Sequence, residues 1–263
     1  MAKFFSNLVA SPRFSFYVTT LLFIILFGLG AVWFEGFFSL QVFLNLLIDN
    51  AHLIIITVGI TFAIISGGGG IDLSVGAVLS LTCMTLAFLM RDTDIHPVWC
   101  MAIGLCIGVV IGLINGFFIT YFKLQPFIVT LGTMFLCRGL TAMISRESVA
   151  INNEWYGELS FMSVEIGDSF ISIGAILALV VVVIATLVLR YTAFGRSVYA
   201  VGGNEQSARL MGLKVDLIRI KVYIISGFCA SLGGIGSCSL VILSTVWVWR
   251  WMLLPHQLLV ALN

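Results

Sequence analysis

The chain has 263 residues, of which 60% are hydrophobic and only 10% are charged, and its formal net charge is +1. A soluble domain carries about 25% charged residues, so this composition excludes an ordinary soluble protein and predicts an all-α, polytopic transmembrane helical bundle. The sequence has no basic patch, so we expect no nucleic acid as a partner. The six cysteines are scattered through apolar stretches without a Cys-x-x-Cys pair, so we expect them to be small hydrophobic side chains that form no disulfide or metal framework.

Seven apolar stretches are long enough to cross a bilayer as helices. They are residues 15–34, 42–65, 73–90, 98–121, 126–145, 169–189 and 222–249. Lys3 and Arg13 precede the first stretch and place the amino terminus in the cytoplasm by the positive-inside rule. Counting spans then places residues 146–168 outside and 190–221 inside, in agreement with the acidic first loop and the basic second loop. Whether one of the counted segments is re-entrant, entering and leaving the membrane on the same side, stays open.

The second stretch carries Asp49-Asn50-Ala51-His52, which the span count places at its outer end. These polar groups either line an entrance for cargo or cap the start of the helix at the membrane interface. We expect the helix cap.

The segment Ser66–Gly76, with the sequence SGGGGIDLSVG, separates the second stretch from the third. Each glycine weakens a helix by roughly 1 kcal/mol relative to alanine, and a carboxylate at membrane depth is costly as well. Two interpretations stay open. The segment is either a helix broken at membrane depth, as at the binding and gating sites of transporters, or a short cytoplasmic turn with Asp72 as the N-cap of the next helix.

Four glycines recur every four residues along the fourth stretch, at Gly104, Gly108, Gly112 and Gly116. This spacing aligns them on one helix face and predicts the close approach of another helix. We expect Asn115, beside the cytoplasmic end of this stripe, to hydrogen-bond to a neighbouring helix.

Arg138 is the only basic residue well inside an apolar stretch, and Pro126, Thr130 and Thr133 precede it in the same predicted helix. An arginine at membrane depth faces protein, water or an opposite charge, and Asp72 is one candidate partner. Alternatively, Arg138 extends toward the outer interface, about two helical turns away.

The basic loop 190–221 contains a short predicted helix with signals at both ends. Asn204 is a good N-cap, Glu205 and Arg209 form an i,i+4 pair, and Gly212 suits the left-handed residue after the helix. Such a helix is either a docking element for a soluble partner or a solvated surface helix.

The sequence has no P-loop, no His-Glu-x-x-His motif and no Gly-x-Ser-x-Gly motif, so we expect no enzyme activity and no cofactor or metal in this chain. An intramembrane aspartyl protease needs two carboxylates at one site, and Asp72 is the only deeply placed acid.

Three ordered motifs resemble those of ABC-type carbohydrate importer permeases of the ribose and galactose branch. They are Ser66–Gly76, then Gln125–Met134 with Arg138-Gly139, and then Tyr199–Asn204 with Ala208, Arg209 and Gly212. The resemblance runs from about residue 40 to 235. Within the family, residues 138–151 are most similar to the smaller permease of galactofuranose importers.

The resemblance implies a monosaccharide permease of the bacterial inner membrane, surrounded by membrane lipid. It implies three protein partners, namely a second permease subunit, cytoplasmic ATPase subunits that hydrolyse ATP, and a periplasmic sugar-binding protein. The implied translocation-pathway residues are Ser66, Gly67, Gly68, Asp72, Ser74, Gly76, Gln125, Thr130, Thr133 and Arg138. The implied ATPase-coupling residues are Gly203, Asn204, Glu205, Ala208, Arg209 and Gly212.

The chain departs from the family at two places. Family members carry two glycines before Ile-Asp-Leu-Ser, whereas this chain carries four; two extra residues would rotate the next helix by about 200° if the segment were helical, so we expect a non-helical turn. Residues 236–263 do not resemble the family. We therefore expect residues 1–235 to be an incomplete permease domain followed by an out-of-frame tail or another form of truncation. The alternative function is a permease remnant without transport activity.

Overall fold

The computed structural model describes residues 14–34, 36–145, 149, 151 and 153–260, without the side chains of 15, 161 and 239–260. The helices, in chain order, are α1 Phe14–Trp33, α2 Leu40–Ile65, α3 Val75–Asp92, α4 Pro97–Tyr121, α5 Pro126–Ile144, α6 Glu154–Phe161, α7 Ile173–Tyr191, α8 Ala193–Gly203, α9 Glu205–Leu210 and α10 Val215–Val260. Between α6 and α7, the strands β1 Ser163–Ile166 and β2 Ser169–Ser172 form an antiparallel hairpin.

The chain divides into two compact units, Met1–Leu46 and Leu47–Asn263. In the first unit, the ring of Phe27 contacts a group of aromatic rings, those of Phe23, Phe37, Phe38 and Phe43. Lys3 and Arg13, on which the predicted orientation rests, lie outside the described residues. The candidate site lies in the second unit.

Six helices in the described part of the chain are long and apolar enough to cross a membrane, namely α1 to α5 and α7. The predicted polytopic helical fold is therefore confirmed. The sixth predicted stretch begins too early, because Ser169–Ser172 pair with β1 instead of entering α7. The seventh predicted stretch lies within α10, which has 46 residues, and the count of seven spans stays a prediction.

The connections of the second unit alternate between two ends. We call one end the turn end; it holds residues 66–74, 122–125 and 192–214. We call the other the hairpin end; it holds residues 93–96 and the described part of 145–172. At the turn end, a Cβ built on Gly67 would lie 2.8 Å from the Cα of Gly202, and at the hairpin end the ring centroids of His96 and Trp155 are 5.3 Å apart. This alternation agrees with the span count, while the side of the membrane that each end faces stays a prediction.

Small residues allow the backbone of α10 to pack closely against the backbones of two neighbouring helices, α2 and α3. A Cβ built on Gly59 of α2 would lie 3.0 Å from the Cα of Ser226, and one built on Gly234 would lie 2.8 Å from the carbonyl oxygen of Leu79 in α3. Larger residues at these glycines would force the helices apart.

The glycine stripe of α4 provides the third close approach to α10. Gly108, Gly112 and Gly116 all face α10, and a Cβ built on Gly108 would overlap the carbonyl oxygen of Gly227. Gly104, by contrast, faces α3. The stripe therefore packs between helices of this chain.

We expect Gly108→Ala to lower the stability of the second unit by about 1–3 kcal/mol, because the added methyl group meets backbone that has no rotamer to change. Thermal unfolding of the purified chain in detergent measures this loss. Gly132→Ala is the control, since an added Cβ there has no described atom within 4 Å beyond the neighbouring backbone of its own helix. Equal melting temperatures for the two variants would contradict the packing of the stripe against α10.

Candidate functional site

The segment between α2 and α3 is a non-helical turn. The glycines at its start, Gly67, Gly68 and Gly69, have φ angles of 70°, 63° and 72°, a left-handed conformation that glycine adopts without strain. The backbone leaves the helix at Ser66 and enters α3 after Ser74, which is the N-cap residue. The expected non-helical turn is therefore present.

Asp72 is a buried acceptor at the centre of this turn and does not cap α3. Asp72 is only 3% exposed. The backbone N–H and hydroxyl of Ser74 donate to Oδ1 at 3.0 and 2.6 Å, and the hydroxyl of Ser226 donates to Oδ2 at 2.7 Å. Asn115 in turn donates to the hydroxyl of Ser74 at 3.0 Å. This network joins the turn to α4 and α10 and gives both carboxylate oxygens a donor.

The start of α5 also touches the turn. The hydroxyl of Thr130 lies 3.3 Å from the carbonyl oxygen of Ile71 and 2.9 Å from that of Pro126 in its own helix. Thr130 is fully buried. Thr133, one turn further along, donates to backbone oxygens of α5, so Thr130 is the threonine that the structure brings to Asp72's turn.

Arg138 does not pair with Asp72, and that suggested partnership is wrong. Arg138 is exposed on α5, and no described ion pair includes it. The described donors to Asp72 are neutral groups on Ser74 and Ser226.

The remaining predicted pathway residues are placed differently from one another. Ser66 is buried, and its hydroxyl donates to the carbonyl oxygen of Ala63 at 2.8 Å. Gly76 and Gln125 are exposed; Gln125 is the N-cap residue of α5 but makes no capping hydrogen bond through its side chain.

The short helix α9 has the predicted signals at both ends. The side chain of Asn204 accepts a hydrogen bond from the backbone N–H of Ser207 at 2.9 Å, and Gly212 has a φ of 81°. Ala208 faces inward and is fully buried, whereas Gly203, at the end of α8, is exposed. One side of α9 is therefore packed against the protein and the other is free.

Ion pairs fasten α9 to the start of α10. Arg209 binds Glu205 at 3.0 Å and Asp216 at 2.7 Å, and Arg219 binds the second oxygen of Glu205 at 2.6 Å. The hydrogen bond from Arg209 holds the pKa of the Asp216 carboxyl below its ordinary value. Burial acts to raise the pKa of Glu205, but the hydrogen bond from Arg209 and the charge of Arg219 outweigh it and lower that pKa. The carboxyls of Glu205 and Asp216 are consequently charged at neutral pH.

Arg219 connects this ion-pair cluster to the glycine turn. A Cβ built on Gly68 would overlap the guanidinium group of Arg219, which is also the partner of Glu205. The contacts thus run without a gap from α9 through Arg219 to the turn that holds Asp72. Neither Arg219 nor Ser226 was predicted from the sequence as a site residue. Their only signals were a charge just before an apolar stretch and a hydroxyl inside it.

A cavity of about 510 Å³ lies near the hairpin end, between α2, α4, α6, α7 and α10. His52 lines this cavity. The helix cap predicted at Asp49–His52 is wrong, because α2 begins at Leu40 and these residues lie inside the helix. The hydroxyls of Ser160 and Ser172 are among its few polar groups. Such an apolar lining does not suit a sugar with many hydroxyls.

The fold and this site define a polytopic helical membrane protein in which a capped surface helix is tied to a turn that contains a buried carboxylate. The chain belongs to the family described as the branched-chain amino acid transport system / permease component, whose family model matches residues 42–249. Members of this family are permease components of transport systems.

Three curated relatives are similar over most of this chain. The inner membrane ABC transporter permease protein YjfF of Escherichia coli is 42% identical over 77% of this chain and 61% of its own length. The fructose import permease protein FruG of Bifidobacterium longum is 38% identical over 81% of this chain and 64% of its own. The ribose import permease protein RbsC of Haemophilus influenzae is 34% identical over 81% of this chain and 65% of its own length.

The chain thus spans less than two thirds of the length of these relatives. No solved structure is significantly similar to it.

Proposed function

We propose that the chain is a permease subunit of an ABC importer that carries a monosaccharide across the bacterial inner membrane. The observation that carries this proposal is the continuous contact from α9 through Arg219 to the turn around Asp72. Such a contact is what an importer needs, because a movement imposed on a surface helix must reach the membrane-embedded part of the permease. Similarity to relatives named as fructose and ribose import permeases supports a sugar as cargo.

The proposed partner on α9 is a cytoplasmic ATPase subunit, which places the turn end in the cytoplasm. Leu210 is 89% exposed and Met211 is 68% exposed at the free end of this helix. Exposed apolar side chains next to a rigid ion-pair cluster suit a protein contact, since burying them against a partner is favourable. A periplasmic sugar-binding protein would then meet the hairpin end.

The proposed translocation pathway passes the turn and follows the exposed face of α5. Arg138 lies on this face, and nearby Gly132 and Gly139 leave open space in the described part of the chain. A membrane-embedded charge and small residues together suit a second permease subunit and a wet pathway between the two.

The specific sugar is the finer part of the proposal. The similarity of residues 138–151 to galactofuranose permeases favours a galactofuranose-like sugar, and the curated relatives add ribose, fructose and allose to the sugars to be tested. The interpretation of residues 236–263 as an out-of-frame tail stays a prediction.

Uptake measurements test the proposal. The chain is produced with its ATPase, second permease and binding protein in cells that lack their own permease, and uptake of each labelled sugar is followed. We expect ATP-dependent uptake of one of them. Leu210→Asp should abolish uptake and co-purification of the ATPase while leaving the melting temperature unchanged, because Leu210 has little burial to lose.

Ile166→Asp is the matched control, because Ile166 is an exposed apolar residue at the hairpin end. It should retain the co-purified ATPase. An assembled complex without uptake of any of these sugars would favour the permease remnant over the importer.

A further inference from the structure

Two cysteines that are 155 residues apart in the sequence meet in the interior of the second unit. Cys83 lies on α3 and Cys238 lies on α10. The Sγ of Cys238 is 3.5 Å from the carbonyl oxygen of Cys83. No spacing of the cysteines along the chain indicates this pair.

The pair has a defined environment. Cys83 and Cys238 belong to an apolar cluster with Leu86, Met90 and Tyr156. Tyr156 donates a hydrogen bond from its hydroxyl to the carbonyl oxygen of Ile235 at 2.8 Å, one turn before Cys238. Cys238 is 2% exposed, whereas Cys83 is partly exposed. The pair is thus held in place on one side and reachable on the other.

We propose that Cys83 and Cys238 form an oxidisable dithiol, a modification site that closes into a disulfide between α3 and α10. Because the Sγ of Cys238 already lies at the backbone of Cys83, a rotation of the Cys83 side chain is what would bring the two sulfurs to the S–S bond length of about 2.05 Å. Both S–H bonds break and one S–S bond forms, while two electrons and two protons pass to the oxidant. The oxidant is a membrane-permeant two-electron acceptor such as the azo compound diamide, which is reduced to its hydrazine.

Closing this disulfide would restrain the helices that hold the Asp72 network. α3 follows the turn directly, and α10 carries Ser226, the donor to Oδ2 of Asp72. A covalent bond further along the same two helices limits how far Ser226 can move away from Asp72. The dithiol is therefore placed to lock the network in its present arrangement, whether or not the chain transports sugar.

The test uses the full chain in membranes. The membranes are treated with diamide, free thiols are alkylated, and the protein is digested and analysed by mass spectrometry without reduction. We expect two fewer alkylated thiols than the six in the sequence, with one cross-linked peptide pair that contains Cys83 and Cys238. Reduction before alkylation should restore all six.

Cys100→Ser is the matched control. Cys100 lies in the same apolar cluster, but its thiol is directed to the carbonyl oxygen of Ile95 at 3.8 Å. This variant should still form the disulfide, whereas Cys83→Ser and Cys238→Ser should each abolish it. Phenylarsine oxide, which bridges neighbouring thiols, provides a second measurement and should bind the wild-type chain and Cys100→Ser only. A cross-link through another cysteine pair, or six free thiols after both reagents, would overturn the proposal.

Discussion

Gly202→Ala is expected to destabilise the turn end by about 3 kcal/mol or more, among the largest effects of any single methyl group added to this chain. A Cβ on Gly202 would overlap the carbonyl oxygen of Ile65, the last residue of α2. In the same place, the Cα of Gly202 lies 2.8 Å from where a Cβ of Gly67 would be. Both obstacles are backbone atoms, so no side-chain rotation can relieve the clash, and α8 must move away from the turn.

Gly203→Ala is the matched control for this prediction. It adds the same methyl group to the next residue of the same helix, where no described atom beyond the neighbouring backbone of that helix lies within 4 Å of it. Alanine is favoured over glycine in helices, so this variant should be neutral or stabilised by up to about 1 kcal/mol. Thermal unfolding and the monodisperse fraction in detergent measure both variants. Equal melting temperatures for Gly202→Ala and Gly203→Ala would mean that the turn does not pack against α8 at Gly202.

The local elements were predictable because their signals lie within a few residues. The glycine stripe, the Asn204 cap and the left-handed Gly212 each depend on short-range spacing or on the conformational preference of one residue type. The apolar runs located six helices for the same reason, since a membrane helix carries its signal in its own composition.

The partners of these elements were not predictable from one sequence. Ser226 is 154 residues from Asp72, and the contact depends on how α10 packs on α2 and α4, which no local pattern reports. The proposed Arg138 pair was wrong for the same reason, because charge alone suggested it. The hairpin also escaped prediction, as Ser169–Ser172 are apolar enough to extend a helix but find partners in β1.

These contacts constrain the four-glycine turn. Gly67 packs against Gly202 of α8, and Gly68 packs against the guanidinium group of Arg219, so the turn is not an unconstrained linker. The turn is also where the surface helix and the buried carboxylate are joined. A change in its length is therefore a change in that junction.

Asp72→Ala is the second substitution with a large expected effect. It removes the acceptor of three described hydrogen bonds, from two groups of Ser74 and from the hydroxyl of Ser226. A buried donor left without a partner costs about 1–3 kcal/mol, so we expect a loss of several kcal/mol in the free energy of unfolding, about 3 kcal/mol at least. Asp94→Ala, at an exposed acid in the connection after α3, should change it by no more than about 0.5 kcal/mol.

Asp72→Asn separates the hydrogen bonds from the charge. Asparagine has the same shape, so its oxygen can accept from Ser74 while its amide donates to the hydroxyl of Ser226. This variant should therefore fold, and any loss of uptake in it reports on the carboxylate charge. Loss of uptake in Asp72→Ala alone would instead make Asp72 a structural residue.

A double-mutant cycle with Ser226→Ala identifies the bond between the turn and α10. Because the hydroxyl of Ser226 donates to Oδ2 of Asp72, Asp72→Ala and Ser226→Ala remove the same interaction, and their effects on unfolding should be less than additive. The coupling energy should be about 1.5–3 kcal/mol, the range for a hydrogen bond to a charged group. Ser231→Ala replaces Ser226→Ala in the control cycle, because the hydroxyl of Ser231 donates to a backbone oxygen of its own helix. Additive effects in both cycles would mean that α10 does not hold the carboxylate through Ser226.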